Sequence, residues 1–227
     1  MKTLVVLWAM LSKRPSKRDG RYAPYFKQPW DEVDNLIITR KLRHARPAMC
    51  EAFPPDVYCW YESMLGALPN IQPSSDSLFL MPSFAVETGK HGHQGAGHLC
   101  AYYGALMVDG AMQAYEHAAG HLTGFFGRTK AITLVCADGY LAVYAHHVEP
   151  STPPQCKTVY DPPDRPDLFY HQNLVHDQLI GNYDAFKTAY KVIRNAQDIG
   201  YDLANDLLQQ LIDYQNRSSD ATSPQPL

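Results

Sequence analysis

The segment Pro82–Gly95, PSFAVETGKHGHQG, holds a glutamate, a lysine and two histidines within fourteen residues. Strand alternation would place Glu87 on one face beside two small residues, and Asp76 lies eleven positions before it. Two carboxylates from neighbouring extended segments can hold a hard cation such as Mg²⁺, with water and phosphate oxygens as further ligands. A lysine such as Lys90 could orient the attacking water or stabilise charge on a phosphate. The pattern is typical of metal-dependent phosphodiester chemistry.

The same segment allows a second kind of site. His91, His93 and His98 could converge at one end of a sheet, and three imidazoles would suit zinc or another transition metal. A flexible polar turn is the more common role for histidines in a glycine-rich loop. Cys100, on the apolar segment that follows, is interpreted as a buried small hydrophobe rather than a nucleophile.

The surrounding pattern predicts the elements that would position these residues. Ser74–Thr88 reads as extended chain, and Pro82 within it favours two strand pieces or an edge position. Gly97–Gly120 is apolar on most faces, as a helix lying across a sheet would be. Lys130–Glu149 predicts a β-hairpin that turns at Asp138-Gly139, with His146 and His147 facing opposite ways.

Further elements are expected on both sides of this centre. The sequence predicts a short β-rich or helical segment at Asn35–Leu42, a helix at Pro54–Asn70, a proline-rich loop at Pro150–Pro166, and one or two amphipathic helices over Asn182–Gln215 with a break near Gly200. The order indicates an α/β or α+β core with a mixed sheet. We expect a basic arm with the first elements at 1–46, a domain at 47–215 and a disordered tail at 216–227.

Composition and charge narrow the class of protein. Hydrophobic residues make up 45% of the 227 residues and charged residues 19%, which is a globular composition. Residues 1–46 carry eleven Lys/Arg against four Asp/Glu, so this arm could face phosphate, although a solvated arm fits equally. Five scattered cysteines without a CxxC pair argue against a disulfide framework and favour an intracellular protein, cytoplasmic or nuclear. The apolar run Leu4–Leu11 is too short to span a bilayer and lacks a cleavage site, so no membrane association is expected.

Five segments, taken in their order along the chain, resemble a fungal domain family that has a PD-(D/E)XK nuclease-like fold. They are PSFAVETG, YYGALMVDGAMQAY, ADGYLAVYAHHVE, FYHQNL and NYDAFKTAYKVIRNAQD, and the resemblance covers roughly Trp60 to Leu211. It implies a restriction-endonuclease-like mixed sheet flanked by helices, with a helical C-terminal third. It also implies that Asp76 and Glu87 bind Mg²⁺ or Mn²⁺.

One position departs from this family pattern. The family lysine follows the glutamate by two residues, where this chain has Gly89, and Lys90 stands one residue further on. In a regular strand Lys90 would point to the opposite face. A bulge or a positive φ at Gly89 could return it to the face of Glu87.

Two functions from different classes therefore remain open. The chain could be a metal-dependent nuclease that acts on DNA or RNA, with Asp76, Glu87 and Lys90 as its catalytic residues. Alternatively it could be a catalytically inactive nuclease-like module that binds nucleic acid or a protein partner, as an effector or interaction protein would. The acidic remainder of the chain, with nineteen Asp/Glu against nine Lys/Arg, weighs mildly against broad contact with a phosphate backbone.

Overall fold

The computed structural model describes residues 22–27, 45–53, 80–89, 92–150, 167–178 and 183–222. Within these ranges the chain forms six strands and two long helices. In chain order they are β1 (Ala23–Phe26), β2 (Met49–Phe53), β3 (Leu80–Thr88), α1 (Gly92–Ala119), β4 (Ala131–Ala137), β5 (Tyr140–Pro150), β6 (Asp167–Gln178) and α2 (Tyr183–Thr222). The segments predicted at 35–42 and 54–70 lie outside the described residues.

The six strands form one sheet in which spatial order follows chain order. Only β3 and β4 run parallel, and the other neighbouring pairs are antiparallel. A parallel pair needs a long connection across the sheet, and α1 supplies it. The predicted mixed sheet with helices is confirmed at this level.

Two hydrophobic layers place the helices on opposite faces of the sheet. Phe84 and Val86 of β3 share a buried cluster with Ile193 of α2, whereas Ala85 lies in a cluster with Tyr103 and its neighbours on α1. This alternation within one strand is the period of two that the sequence predicted. The two helices meet in a third cluster, which includes Ala114, Ala118, Leu208 and Leu211 together with Phe53 of β2.

The hairpin between β4 and β5 forms where the sequence predicts it. The register runs from Ala131 opposite His146 to Ala137 opposite Tyr140, and β4 pairs with β3, so the hairpin joins the sheet that carries Glu87. Both turn residues have positive φ, 54° at Asp138 and 81° at Gly139. Two successive left-handed residues are the backbone conformation of a type I′ two-residue hairpin turn.

Pro82 disturbs β3 without dividing it, so the expected two strand pieces or edge position is wrong. β3 is one strand near the centre of the sheet, yet its pairing with β2 shifts register between the pairs Glu51–Phe84 and Phe53–Leu80. Pairing with β4 begins only at Phe84. The proline, which lacks an N–H, therefore lies in the irregular part of the strand, before both neighbours pair regularly.

The predicted helix break near Gly200 is also wrong. α2 continues through Gly200 without interruption. A Cβ at this position would lie 2.8 Å from the Cβ of Phe84, so the glycine allows the helix to approach β3 closely. Gly200 therefore does mark a special position in the helix, but the reason is close packing against β3 rather than the end of a helix.

Two helix boundaries and two strands also differ from the sequence prediction. α2 extends to Thr222, past residue 216 where a disordered tail was expected, and α1 begins at Gly92 rather than Gly97. β6 lies in a region expected to lead directly into helices, and β2 was also not predicted. β6 pairs along its length with β5, so its strand conformation follows from a neighbour that local pattern does not reveal.

Candidate functional site

Glu87 lies at the carboxyl end of β3 with its side chain directed towards α1. Its carboxylate accepts hydrogen bonds from the Thr88 N–H to Oε1 at 2.9 Å and from the Tyr103 hydroxyl to Oε2 at 3.1 Å. The residue is 9% exposed. Burial of a carboxylate is costly unless hydrogen bonds compensate it, and these two donors fix the orientation of the group.

The charge of Glu87 affects its neighbours on α1. The pKa of Tyr103 is raised well above its ordinary value, mainly by burial and then by the adjacent Glu87 carboxylate. Burial likewise raises the pKa of the Cys100 thiol to about 12, with a smaller contribution from Glu87. Tyr103 therefore remains a neutral donor, and Cys100 remains a protonated thiol rather than a nucleophile at neutral pH.

A buried polar row continues from this point across the sheet under α1. Thr133 of β4 is hydrogen-bonded to His146 of β5, with 2.7 Å between Oγ1 and Nε2, and both side chains are buried. Gly104 of α1 covers the imidazole, because a Cβ there would lie 1.9 Å from His146 Nδ1. His147 is partly exposed and lies 3.7 Å from Glu149, so the two histidines face opposite ways as predicted. This row is a packed, hydrogen-bonded interior.

The other predicted members of the carboxylate site, Asp76 and Lys90, lie outside the described residues. A bulge or a positive φ at Gly89 was the way in which Lys90 could return to the face of Glu87, but Gly89 does not have a left-handed φ. The parallel register between β3 and β4 continues without a shift to Thr88, and the Gly89 N–H donates to the Cys136 carbonyl at 3.3 Å. A Cβ at Gly89 would lie 2.4 Å from the Ala137 Cβ, so close approach to β4 explains the glycine.

The alternative histidine site is divided between described and undescribed residues. His91 lies outside them, while His93 and His98 lie on α1, about 140° apart around its axis. The ring of His93 is 6.4 Å from that of Tyr140, and its backbone N–H donates to the Asp138 carboxylate at 3.0 Å. Among the residues with described positions, no three His, Cys, Asp or Glu side chains are grouped as a metal ion would require.

A second buried carboxylate, which the sequence did not single out, lies on the opposite face of the sheet. Glu51 of β2 is 3% exposed and accepts a short hydrogen bond from the Gln197 side-chain amide of α2. Arg194 donates to Gln197 at 2.9 Å and contacts the ring of Tyr190. An acidic residue in a short strand gives no local signal of burial, and neither does its partner 146 residues later. Tyr103 was missed for the same reason.

Comparison of the chain with models of known protein families, with curated proteins and with solved structures finds no match. Among the described helices, none combines the length and the apolar character that a membrane span requires.

Proposed function

We propose that the chain is a metal-dependent nuclease with a PD-(D/E)XK-like fold, in which Glu87 and Asp76 bind Mg²⁺ or Mn²⁺. The observation that carries the proposal is the Glu87 carboxylate, buried at the end of a central strand and oriented by Tyr103 and Thr88. A carboxylate held in this way is a candidate functional group, because burial and fixed geometry are features of active sites. The mixed sheet flanked by helices on both faces also supports it.

The donor chemistry fits a hard divalent cation. A carboxylate offers about four lone-pair directions, so the bonds from Tyr103 and Thr88 are compatible with a metal on the same group. Hydrogen bonds to a ligating carboxylate are the usual outer-shell support of such sites. The bound ion would supply Lewis-acid polarisation of the phosphodiester. The chain's own contribution is to hold Glu87 in one orientation on a rigid strand.

The experiment compares two buried glutamates on neighbouring strands. The full-length protein is incubated with single- and double-stranded DNA and RNA in Mg²⁺, Mn²⁺ or EDTA, together with variants Glu87→Gln, Asp76→Asn and Glu51→Gln. We expect metal-dependent cleavage that Glu87→Gln lowers by more than about 100-fold, since outer-shell changes alone typically cost 10–100-fold. Glu51→Gln, corrected for its folded fraction, should retain activity because Glu51 faces α2.

A second function, a catalytically inactive nuclease-like module, is favoured by one specific observation. Gly89 lacks the left-handed φ that could have returned Lys90 to the face of Glu87, which is the geometry expected of an active nuclease. Such a module would bind nucleic acid through the basic residues of 1–46, or bind a protein partner. If no substrate is cleaved with either metal, while binding to nucleic acid persists and weakens steeply with salt, the inactive module is the correct description.

A further inference from the structure

A cleft of about 170 Å³ lies between the second half of α1, the loop that precedes β4, and the middle of α2. Its helix walls are mostly apolar, with Met107 and Ala111 on α1 and Leu203 and Leu207 on α2. Lys130, Arg128 and Asp206 supply charges at its border. The cleft is distinct from Glu87, because it adjoins Ser83, about 13 Å from Glu87 along β3.

Lys130 is held in an unusual position for a lysine. Its ammonium lies 4.3 Å from the centre of the Phe125 ring and 5.7 Å from that of Tyr115. Burial lowers the pKa of Lys130, and the nearby charge of Arg128 lowers it further, while Asp206 acts in the opposite direction. In the part of the chain that the structure describes, no carboxylate lies within ion-pairing distance of this ammonium.

Lys130 and Arg128 bring two positive charges to the border of the cleft against one negative charge from Asp206, and this balance favours an anion. An oxyanion placed between Lys130 and Arg128 would relieve their repulsion, and its charge-assisted hydrogen bonds would compensate the partial desolvation of the lysine. The apolar walls suit an uncharged organic body. Clefts for drug-sized ligands measure ~300–1,000 Å³, so this ligand must be compact.

We propose that this cleft binds a compact amphipathic anion, with its oxyanion group on Lys130 and Arg128 and its apolar body between α1 and α2. Asp206 on the facing wall limits the negative charge that the cleft accepts. This assignment is independent of the proposed nuclease activity, since it uses none of the residues placed in that site.

The test is a set of calorimetric titrations of the full-length protein with phenyl phosphate as the probe. Inorganic phosphate, which has only the oxyanion group, and phenol, which has only the apolar ring and a hydroxyl, are titrated separately. We expect phenyl phosphate to bind with one site per chain, at least about tenfold more tightly than either fragment. Lys130→Met keeps the aliphatic stem over the rings but removes the charge, and it should weaken binding about tenfold or more. Asp206→Asn should tighten binding, because it removes a repulsive charge.

The exposed Lys191 of α2, which does not border the cleft, gives the matched control Lys191→Met. This variant should bind phenyl phosphate as the unaltered protein does. If Lys130→Met fails to fold, Arg128→Gln replaces it, because Arg128 is exposed. The proposal is overturned if phenyl phosphate does not bind at millimolar concentration, if phenol binds equally well, or if Asp206→Asn weakens binding. Equal loss in the Lys191→Met control would overturn it as well.

Discussion

The Tyr103 hydroxyl donates a 3.1 Å hydrogen bond to the Glu87 carboxylate and so connects the first half of α1 to the end of β3. Tyr103 is 3% exposed and Glu87 is 9% exposed, so water has little room to replace the tyrosine as a donor. Tyr103 is therefore a positioning residue for Glu87 under the proposed function. Even without catalysis, it is a structural link whose loss should be measurable.

Tyr103→Phe should lower the free energy of unfolding by about 1–3 kcal/mol, because it leaves a buried acceptor without one of its donors. Urea denaturation measures the change. Tyr115→Phe is the matched control, since it also removes one hydroxyl bond, from Tyr115 to the Thr123 carbonyl at 3.0 Å, but at an exposed site. Water can satisfy that carbonyl, so the control should change stability by less. Equal losses in the two variants would contradict the role assigned to burial at Glu87.

The same variant gives a functional readout. If Glu87 binds a divalent cation, Tyr103→Phe should weaken Mn²⁺ binding by about 10–100-fold, as is typical when an outer-shell partner is removed. Calorimetric titration with Mn²⁺ measures this separately from stability. Unchanged Mn²⁺ affinity in Tyr103→Phe would remove the positioning role, whatever its effect on unfolding.

Two glycines in long helices should respond to alanine in opposite directions. Among the described residues, nothing outside the local helix backbone lies within 4 Å of a Cβ built on Gly110 of α1, so Gly110→Ala should stabilise the protein by about 1 kcal/mol through helix propensity. At Gly200 the new Cβ would lie 2.8 Å from the Phe84 Cβ, which belongs to the core. Overpacking typically costs about 1–3 kcal/mol, so Gly200→Ala should be destabilising despite the same gain in propensity. Thermal or urea denaturation distinguishes the two, and stabilisation by Gly200→Ala would show that α2 is not held closely against β3.

Stability should fall as the pH rises above about 9 because of buried thiols. The pKa of Cys100 is raised by burial from 9.0 to about 12 in the folded protein, and that of Cys136 is raised as well. Between the two values the unfolded chain loses the proton that the folded chain retains, so unfolding becomes more favourable with rising pH. Urea midpoints between pH 8 and 10.5 should therefore decrease.

Cys100→Ala isolates this contribution. The cavity that it leaves lowers stability at every pH, but the slope with pH should become shallower. The slope that remains is due to Cys136 and to the other groups with shifted pKa values, Tyr103 and Lys130. An unchanged slope would show that Cys100 ionises freely in the folded state. Native protein at pH 8 should also protect Cys100 from iodoacetamide, and urea should expose it.

Local signals in the sequence predict the parts of this fold that depend on neighbours along the chain. The hairpin at Asp138-Gly139 and the alternation around Glu87 are of this kind, because turn conformation and strand period are set by adjacent residues. At Gly200, a local pattern does not determine the structure. A glycine in a helical pattern indicates a break or a close contact equally well, and Phe84, which decides between them, lies 116 residues earlier.

The candidate site also has parts that the sequence predicts and parts that it does not. The face of Glu87 follows from strand alternation, but its partner Tyr103 depends on how α1 lies across the sheet, which no local pattern specifies. Lys130 was predicted only as the start of a strand, because its contacts with Phe125 and Tyr115 require the loop and α1 to fold together. Asp76 and Lys90 remain predictions, as does the metal.

Asp138 has two structural roles that substitutions can separate. Its φ of 54° belongs to the hairpin turn, and its carboxylate accepts the His93 N–H near the start of α1 at 3.0 Å. Asp138→Gly tolerates the left-handed φ but removes the acceptor, so it should cost about 1 kcal/mol, as loss of a helix cap does. Asp138→Ala removes the acceptor and also strains the turn, since alanine disfavours positive φ by a further ~1 kcal/mol or more. Asp138→Asn keeps an acceptor oxygen and tolerates this φ, so it should be the mildest of the three. Urea denaturation should therefore find Asp138→Asn the most stable of the three variants, Asp138→Gly intermediate and Asp138→Ala the least stable. Equal stability of the glycine and alanine variants would show that the turn does not require a left-handed residue at this position.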